Sequence, residues 1–141
     1  MTADGASLSA RVQLRSITLL RLEATSSWAT SPPPSVPPSL ALKHGAEGRD
    51  LGEVDGERLI EVRARMTIRT EEPEPTLFIE ANYRLLYAYG SEPPGEDELA
   101  EFADRNGLFN VWPYWRELTS SLFGRMELPL PPLPVYHARS D

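Results

Sequence analysis

"LIEVRARMTIRT" spans residues 59–70 and "TLFIEANYRLLYAY" spans residues 76–89. In the first stretch Ile60, Val62, Ala64, Met66 and Ile68 occupy every second position, with Glu61, Arg63, Arg65, Thr67 and Arg69 between them. In the second, Leu77, Ile79, Ala81, Tyr83, Leu85 and Tyr87 share one face, opposed by Phe78, Glu80, Asn82 and Arg84. Successive strand side chains point to opposite faces, so this alternation predicts a sheet with one buried and one wet face. The linker "EEPEP" (71–75) makes the pair an antiparallel hairpin. Parity requires the two apolar sets to share a face, which leaves registers two residues apart. One register sets Arg65 opposite Glu80 and Glu61 opposite Arg84. The next sets Arg63 against Arg84. Opposite charges attract across a strand pair, so the first register is expected.

Upstream, "VQLRSITLLRLEA" (12–24) alternates with one slip near Ser16, which predicts a strand with a bulge. Residues 1–10 are small and polar and are expected to be disordered, leaving a single domain over 11–141. "TSSWATSPPPSVPPS" (25–39) excludes helix and central strand by its prolines, and reads as a stiff crossover loop carrying Trp28 and Val36. "LALKH" (40–44) reads as a short edge strand, and "GAEGRDLGEVDGE" (45–57) as an acidic, glycine-rich loop.

Downstream, "EDELAEFADRNG" (96–107) predicts a short helix closed by Asn106-Gly107. Val111, Trp112, Trp115, Leu118, Leu122, Phe123 and Met126 then recur at three- and four-residue steps, which predicts an amphipathic helix over about 110–126. Asn110 is the expected N-cap, which would place Pro113 in the first turn, where its missing N–H removes no helical bond. Trp112 and Trp115 lie on the apolar stripe, where they could be ordinary core packed on the sheet. Leu108, Phe109, Leu122 and Phe123 widen that stripe beyond what one sheet should cover, which points instead to a second surface such as another subunit. "ELPLPPLPVYHARSD" (127–141) cannot be helix and is expected to pack back, extended, on the body.

The chain has 141 residues, a formal net charge of −7 and no cysteine. The charge disfavours nonspecific binding to nucleic acid or anionic lipid, and the cysteine count excludes disulfides and zinc–thiolate sites. No signal peptide or transmembrane segment is read, so a cytoplasmic location is expected. Neither a nucleophile elbow nor a phosphate-binding glycine loop is present. The two histidines, His44 and His137, stand far apart in sequence and read as solvated or capping groups. No catalytic, metal-binding or cofactor-binding residue is assigned, and an enzyme is disfavoured. Glu71, Glu72 and Glu74 read as a solvated turn or as an acidic docking patch for a basic partner. The Arg63, Arg65, Arg69 stripe either pairs with its strand neighbours and keeps the wet face soluble, or binds a ligand.

"FADRNGLFNVWPYWRELTSSLFGRMELPLPPLP" (102–134) resembles the SecB export chaperone family. Pro113, Tyr114, Arg116 and Glu117 match its helix-start pattern, and Pro131, Pro132, Leu133 and Pro134 its proline-rich descent. The likeness is closest to divergent SecB-like members, some of which are linked to toxin–antitoxin systems. It implies an α+β fold: a four-stranded antiparallel sheet with one long C-terminal amphipathic helix, plus a short helix, packed on one face. It implies a homotetramer, a dimer of dimers with the helices between sheets, and so an interface through Trp112, Trp115, Leu118, Leu122 and Phe123. It also implies an ATP-independent holdase that binds unfolded preproteins in apolar grooves and passes them to SecA. Trp28, Val36, Leu40 and Leu42 are the expected client-binding residues. Glu71, Glu72 and Glu80 are the candidates for partner docking. The alternative is a module dedicated to one client, such as an antitoxin. No counterpart of the family's second C-terminal helix is read after Pro134, so the groove is expected to be open.

Overall fold

The computed structural model describes residues 7–26, 40–70, 77–90, 92–127 and Leu133. Strands β1 (Val12–Ser26), β2 (Leu40–Val54), β3 (Glu57–Thr70) and β4 (Leu77–Tyr89) form one antiparallel sheet in the order β1-β4-β3-β2. A helical layer follows: α1 (Glu96–Phe102), a π-turn (Ala103–Gly107) and α2 (Leu108–Arg125). It packs over β2, β3 and β4. The expected α+β architecture, with a long C-terminal helix on one face, is what the chain adopts.

The hairpin at 59–89 buries the faces its alternation predicts. Ile60, Val62, Met66 and Ile68 of β3 and Leu77, Ile79, Ala81 and Leu85 of β4 are fully enclosed. Its register differs from the expected one. Arg63 pairs with Arg84, Arg65 with Asn82 and Thr67 with Glu80. Both registers bury the same apolar sets, so packing of the faces does not choose between them. Charge does not choose either, because a long side chain reaches its diagonal neighbour. Arg65 Nη2 still meets Glu80 Oε1 at 2.7 Å across the diagonal. Glu61 finds Arg49 on β2 and Arg63 on its own strand, both at 3.3 Å, instead of Arg84.

β2 runs much further than the expected 40–44, and the stretch read as an acidic loop is mostly strand. Asp55 (φ 50°) and Gly56 (φ 85°) close a tight turn into β3. Two consecutive left-handed residues match the twist of a hairpin, and Asp-Gly is the pair best suited to them. This signal outweighs the low apolar content of β2, which as an edge strand need not bury both faces. β1 carries two register shifts, at Leu14/Ser16 and Leu19/Arg21; the first is the bulge anticipated near Ser16.

The break expected at Asn106-Gly107 is absent. Gly107 has helical angles (φ −60°, ψ −49°), so α1, the π-turn and α2 form one unbroken helical run. Asn110 is therefore not an N-cap and Pro113 lies inside α2 rather than in a first turn. The proline removes one helical hydrogen bond, toward the carbonyl of Phe109. Gly107 serves close approach rather than termination: a Cβ there would sit 2.7 Å from Val62 Cγ1. Gly48 does the same under α1, where a Cβ would lie 2.9 Å from the Leu99 carbonyl oxygen. The helix begins after Gly95 with Glu96, Asp97 and Glu98 in its first turn, where the helix dipole favours anions.

Both ends of the described chain are tied to the body. Leu8–Ala10 form a 3₁₀ turn and Leu8 is buried, so order begins before residue 11. Arg11 Nη2 then meets Glu98 Oε1 of α1 at 3.0 Å. Leu133 is buried and its carbonyl accepts a 2.6 Å hydrogen bond from Arg116 Nε, while residues 128–132 and 134–141 of the expected extended tail lie outside the described residues.

Candidate functional site

α2 lies on the sheet with different sides toward the two edges. On one side Trp112 meets His44 of β2 edge-on, ring centroids 6.2 Å apart. On the other, Asn110 Nδ2 donates to the Tyr87 hydroxyl of β4 at 2.8 Å. Glu117, on that same side, faces Tyr83: burial first, and that carboxylate second, push the Tyr83 phenol up to about 12. Burial likewise pushes Tyr87 up to about 12, against the opposing hydrogen bond from Asn110. Both phenols stay neutral at physiological pH and act as core, their rings packed under the helix; Tyr87 meets Phe102 edge-on at 4.8 Å.

The helical layer covers the outer strands only in part: α1 and the π-turn pack on β2 around Gly48, while the start of β2 and the length of β1 each leave an apolar flank. On the β2 side, Leu40, Leu42 and His44 pair with Thr70, Ile68 and Met66 and so lie on the helix-bearing face. Leu40 is half-buried, Leu42 is 44% exposed, and Phe109 of α2 is 58% exposed one helical turn before Trp112. These residues neighbour the Trp112–His44 contact in sequence, on the β2 side of the helix-bearing face. On the β1 side, Leu14, Leu19 and Leu22 pair with Tyr87, Tyr83 and Ala81, on the core face, yet each remains about 40% exposed. Tyr114, Leu118 and Leu122 fall four residues apart on the corresponding side of α2; Tyr114 is exposed and the two leucines half-buried.

The sequence-predicted site residues therefore separate. Leu40 and Leu42 stand on the β2 flank, whereas Trp28, Val36, Glu71 and Glu72 lie outside the described residues. Trp112, Trp115 and Phe123, expected at a subunit interface, are buried within the single chain. Leu118 and Leu122 keep exposed surface on the β1 side. Glu80 offers no open carboxylate for docking: it is 7% exposed and held by Arg65. Phe109 and His44 were not singled out for binding, and Leu14, Leu19 and Leu22 read as ordinary strand. Their alternation showed which face they share, but only the width of the helical layer shows that the face is open. No helix among the described residues is long and apolar enough to cross a membrane.

A partly covered antiparallel sheet with a helical layer on one face and apolar flanks at both edges defines an α+β protein. No protein-family model matches the chain. Two curated relatives do: the SecB-like chaperone Rv1957 of Mycobacterium tuberculosis (strain H37Rv) and the SecB-like chaperone MT2006 of strain CDC 1551. Each is 26% identical over 142 aligned positions, covering 89% of this chain and 77% of the relative. The solved structure of Mycobacterium tuberculosis Rv1957 SecB-like chaperone, in complex with a ChAD peptide from Rv1956 HigA1 antitoxin, superposes with a TM-score of 0.74. It is 25% identical and covers 92% of this chain and 91% of its own. The chain is thus similar in sequence and fold to SecB-like chaperones over most of its length.

Proposed function

We propose that the protein is an ATP-independent holdase that binds extended apolar segments of unfolded polypeptides in the trough formed by Leu40, Leu42, His44, Phe109 and Trp112. The observation that carries this reading is the apolar surface left open beside an edge strand, Leu42 and Phe109 above all. An edge strand offers unpaired backbone groups to an extended client, and the leucine and aromatic rings give affinity without reading particular side chains. Such binding requires no reaction, which agrees with a chaperone rather than an enzyme.

The β1 flank serves assembly in this proposal. A second copy meeting Leu14, Leu19, Leu22, Leu118 and Leu122 would cover them, and a dimer of dimers would follow as the homotetramer. The proposed setting is the cytoplasm, and the proposed clients include unfolded preproteins. Delivery to SecA through Glu80 is not part of the proposal, because that carboxylate is enclosed and neutralised by Arg65.

A second reading is favoured by one finding: the solved relative holds an antitoxin peptide. On that reading the same trough serves one antitoxin-type client. The test is light-scattering aggregation of several unrelated unfolded proteins, without nucleotide. Suppression across all of them supports the general holdase; suppression of none, with tight binding of one antitoxin-type peptide, supports the dedicated module.

A further inference from the structure

The face of the sheet opposite the helices carries an unexpected charge balance for a chain of net charge −7. The register places Arg63, Arg65 and Arg69 of β3 there, beside Arg84 of β4. Lys43 and Arg49 join them from β2, and Arg21 from β1. These are seven of the fourteen lysines and arginines in the whole sequence. Among the described residues five acids, Glu23, Glu47, Glu57, Glu61 and Glu80, share the face.

Two of the acids are also deeper than their partners, while Glu23 and Glu47 stay exposed. Glu61 and Glu80, at the centre, are nearly enclosed, while the guanidiniums that pair with them, Arg49, Arg63 and Arg65, stand 56–71% exposed above. The charge presented to solvent is therefore cationic. Lys43, Arg69 and Arg84 have no carboxylate within 4 Å among the described residues. Arg84 directly opposes Arg63, a like-charge pair that is unfavourable by itself. Its Nε is buried without a hydrogen-bond partner. An incoming carboxylate would relieve the like-charge opposition, because a guanidinium fork matches a carboxylate in geometry as well as charge.

We propose that this outer sheet face docks an acidic segment of a partner polypeptide, separately from the apolar trough on the opposite face. A polypeptide fits better than nucleic acid. The strongly acidic remainder of the chain repels a long polyanion, and Glu61 and Glu80 interrupt any continuous phosphate track. A short acidic segment needs only local complementarity, which steers encounter and fixes orientation.

The test uses fluorescence anisotropy of the full chain with three labelled probes at low salt: a glutamate-rich peptide, its glutamine counterpart, and a single-stranded oligonucleotide of equal charge. The glutamate peptide should bind, and raising salt beyond the screening range should release it. The exposed double variant Lys43→Gln/Arg69→Gln should weaken it about tenfold, and Arg84→Gln should weaken it also. Suppression of client aggregation by the double variant should remain unchanged, which shows that it is folded. Equal binding of the glutamine peptide, or unaltered affinity in the double variant, overturns the proposal. Tighter binding of the oligonucleotide overturns the assignment to a polypeptide.

Discussion

The trough reading makes a quantitative demand on Leu42 and Phe109. Burying a large apolar side chain completely is worth about 1.5–3 kcal/mol. Leu42 is 44% exposed and Phe109 58% exposed, so a client that covers the remainder gains about 0.7–1.3 kcal/mol from the first and about 0.9–1.7 kcal/mol from the second. The double variant Leu42→Ala/Phe109→Ala should forfeit most of both. Affinity for an unfolded polypeptide should fall roughly tenfold to a hundredfold, since each 1.4 kcal/mol is a factor of ten. Stability should fall by a smaller margin, because these surfaces face solvent in the free protein. The assay is anisotropy of a labelled, permanently reduced and unfolded protein titrated with each variant. Val54→Ala supplies the control: Val54 is comparably exposed, on the same strand, but sits at the Asp55-Gly56 turn rather than beside α2. It should leave client affinity unchanged. Equal losses from Val54→Ala and from the double variant, or no loss from the double variant, would refute the placement of clients in the trough.

Three further outcomes follow from the packing. Gly107→Ala replaces a poor helix former, which alone would favour Ala by about 1 kcal/mol, but its Cβ would meet Val62 Cγ1 at 2.7 Å. Overpacking costs about 1–3 kcal/mol, so thermal denaturation should show net destabilisation, and Val62→Ala in the same chain should relieve the clash in a double-mutant cycle. Trp112→Asp puts a charge where an almost enclosed ring packs on the sheet; loss of at least about 3–5 kcal/mol should unfold much of the population, seen as lost near-ultraviolet circular dichroism. Tyr83 and Tyr87 both hold phenols raised from 10.0 to about 12. A raised native value means their neutral forms stabilise the fold below pH 10, and that contribution is lost as pH rises from 10 to about 12. Denaturant midpoints should therefore fall steeply over that interval, and less so in Tyr83→Phe.

Much of the architecture was legible in alternation and periodicity. The β3 and β4 faces, the first β1 bulge and the apolar stripe of α2 follow directly from which residues recur every second or every third and fourth position. The register was not legible, because Arg65 and Glu80 can pair either directly or diagonally, and tenths of a kcal/mol from charge do not override backbone geometry. β2 was hidden by its glycines and acids, although Asp55-Gly56 carried the hairpin signal. Gly107 read as a stop because glycine commonly ends helices; its neighbour Val62, distant in sequence, supplies the actual reason for it. The apolar breadth of α2 suggested an interface at Trp112, Trp115 and Phe123, yet all three are already buried within the single chain. What a sheet leaves open depends on where the helix lies across it, and that is a property of packing rather than of pattern.

The central claim is that the apolar trough holds unfolded polypeptide without nucleotide. It is tested most directly by the solution mass of the protein, measured by light scattering with and without an excess of a reduced, unfolded protein and no ATP. The account predicts a mass near four chains that rises by the mass of one bound client. A mass that does not change when the client is added would contradict it.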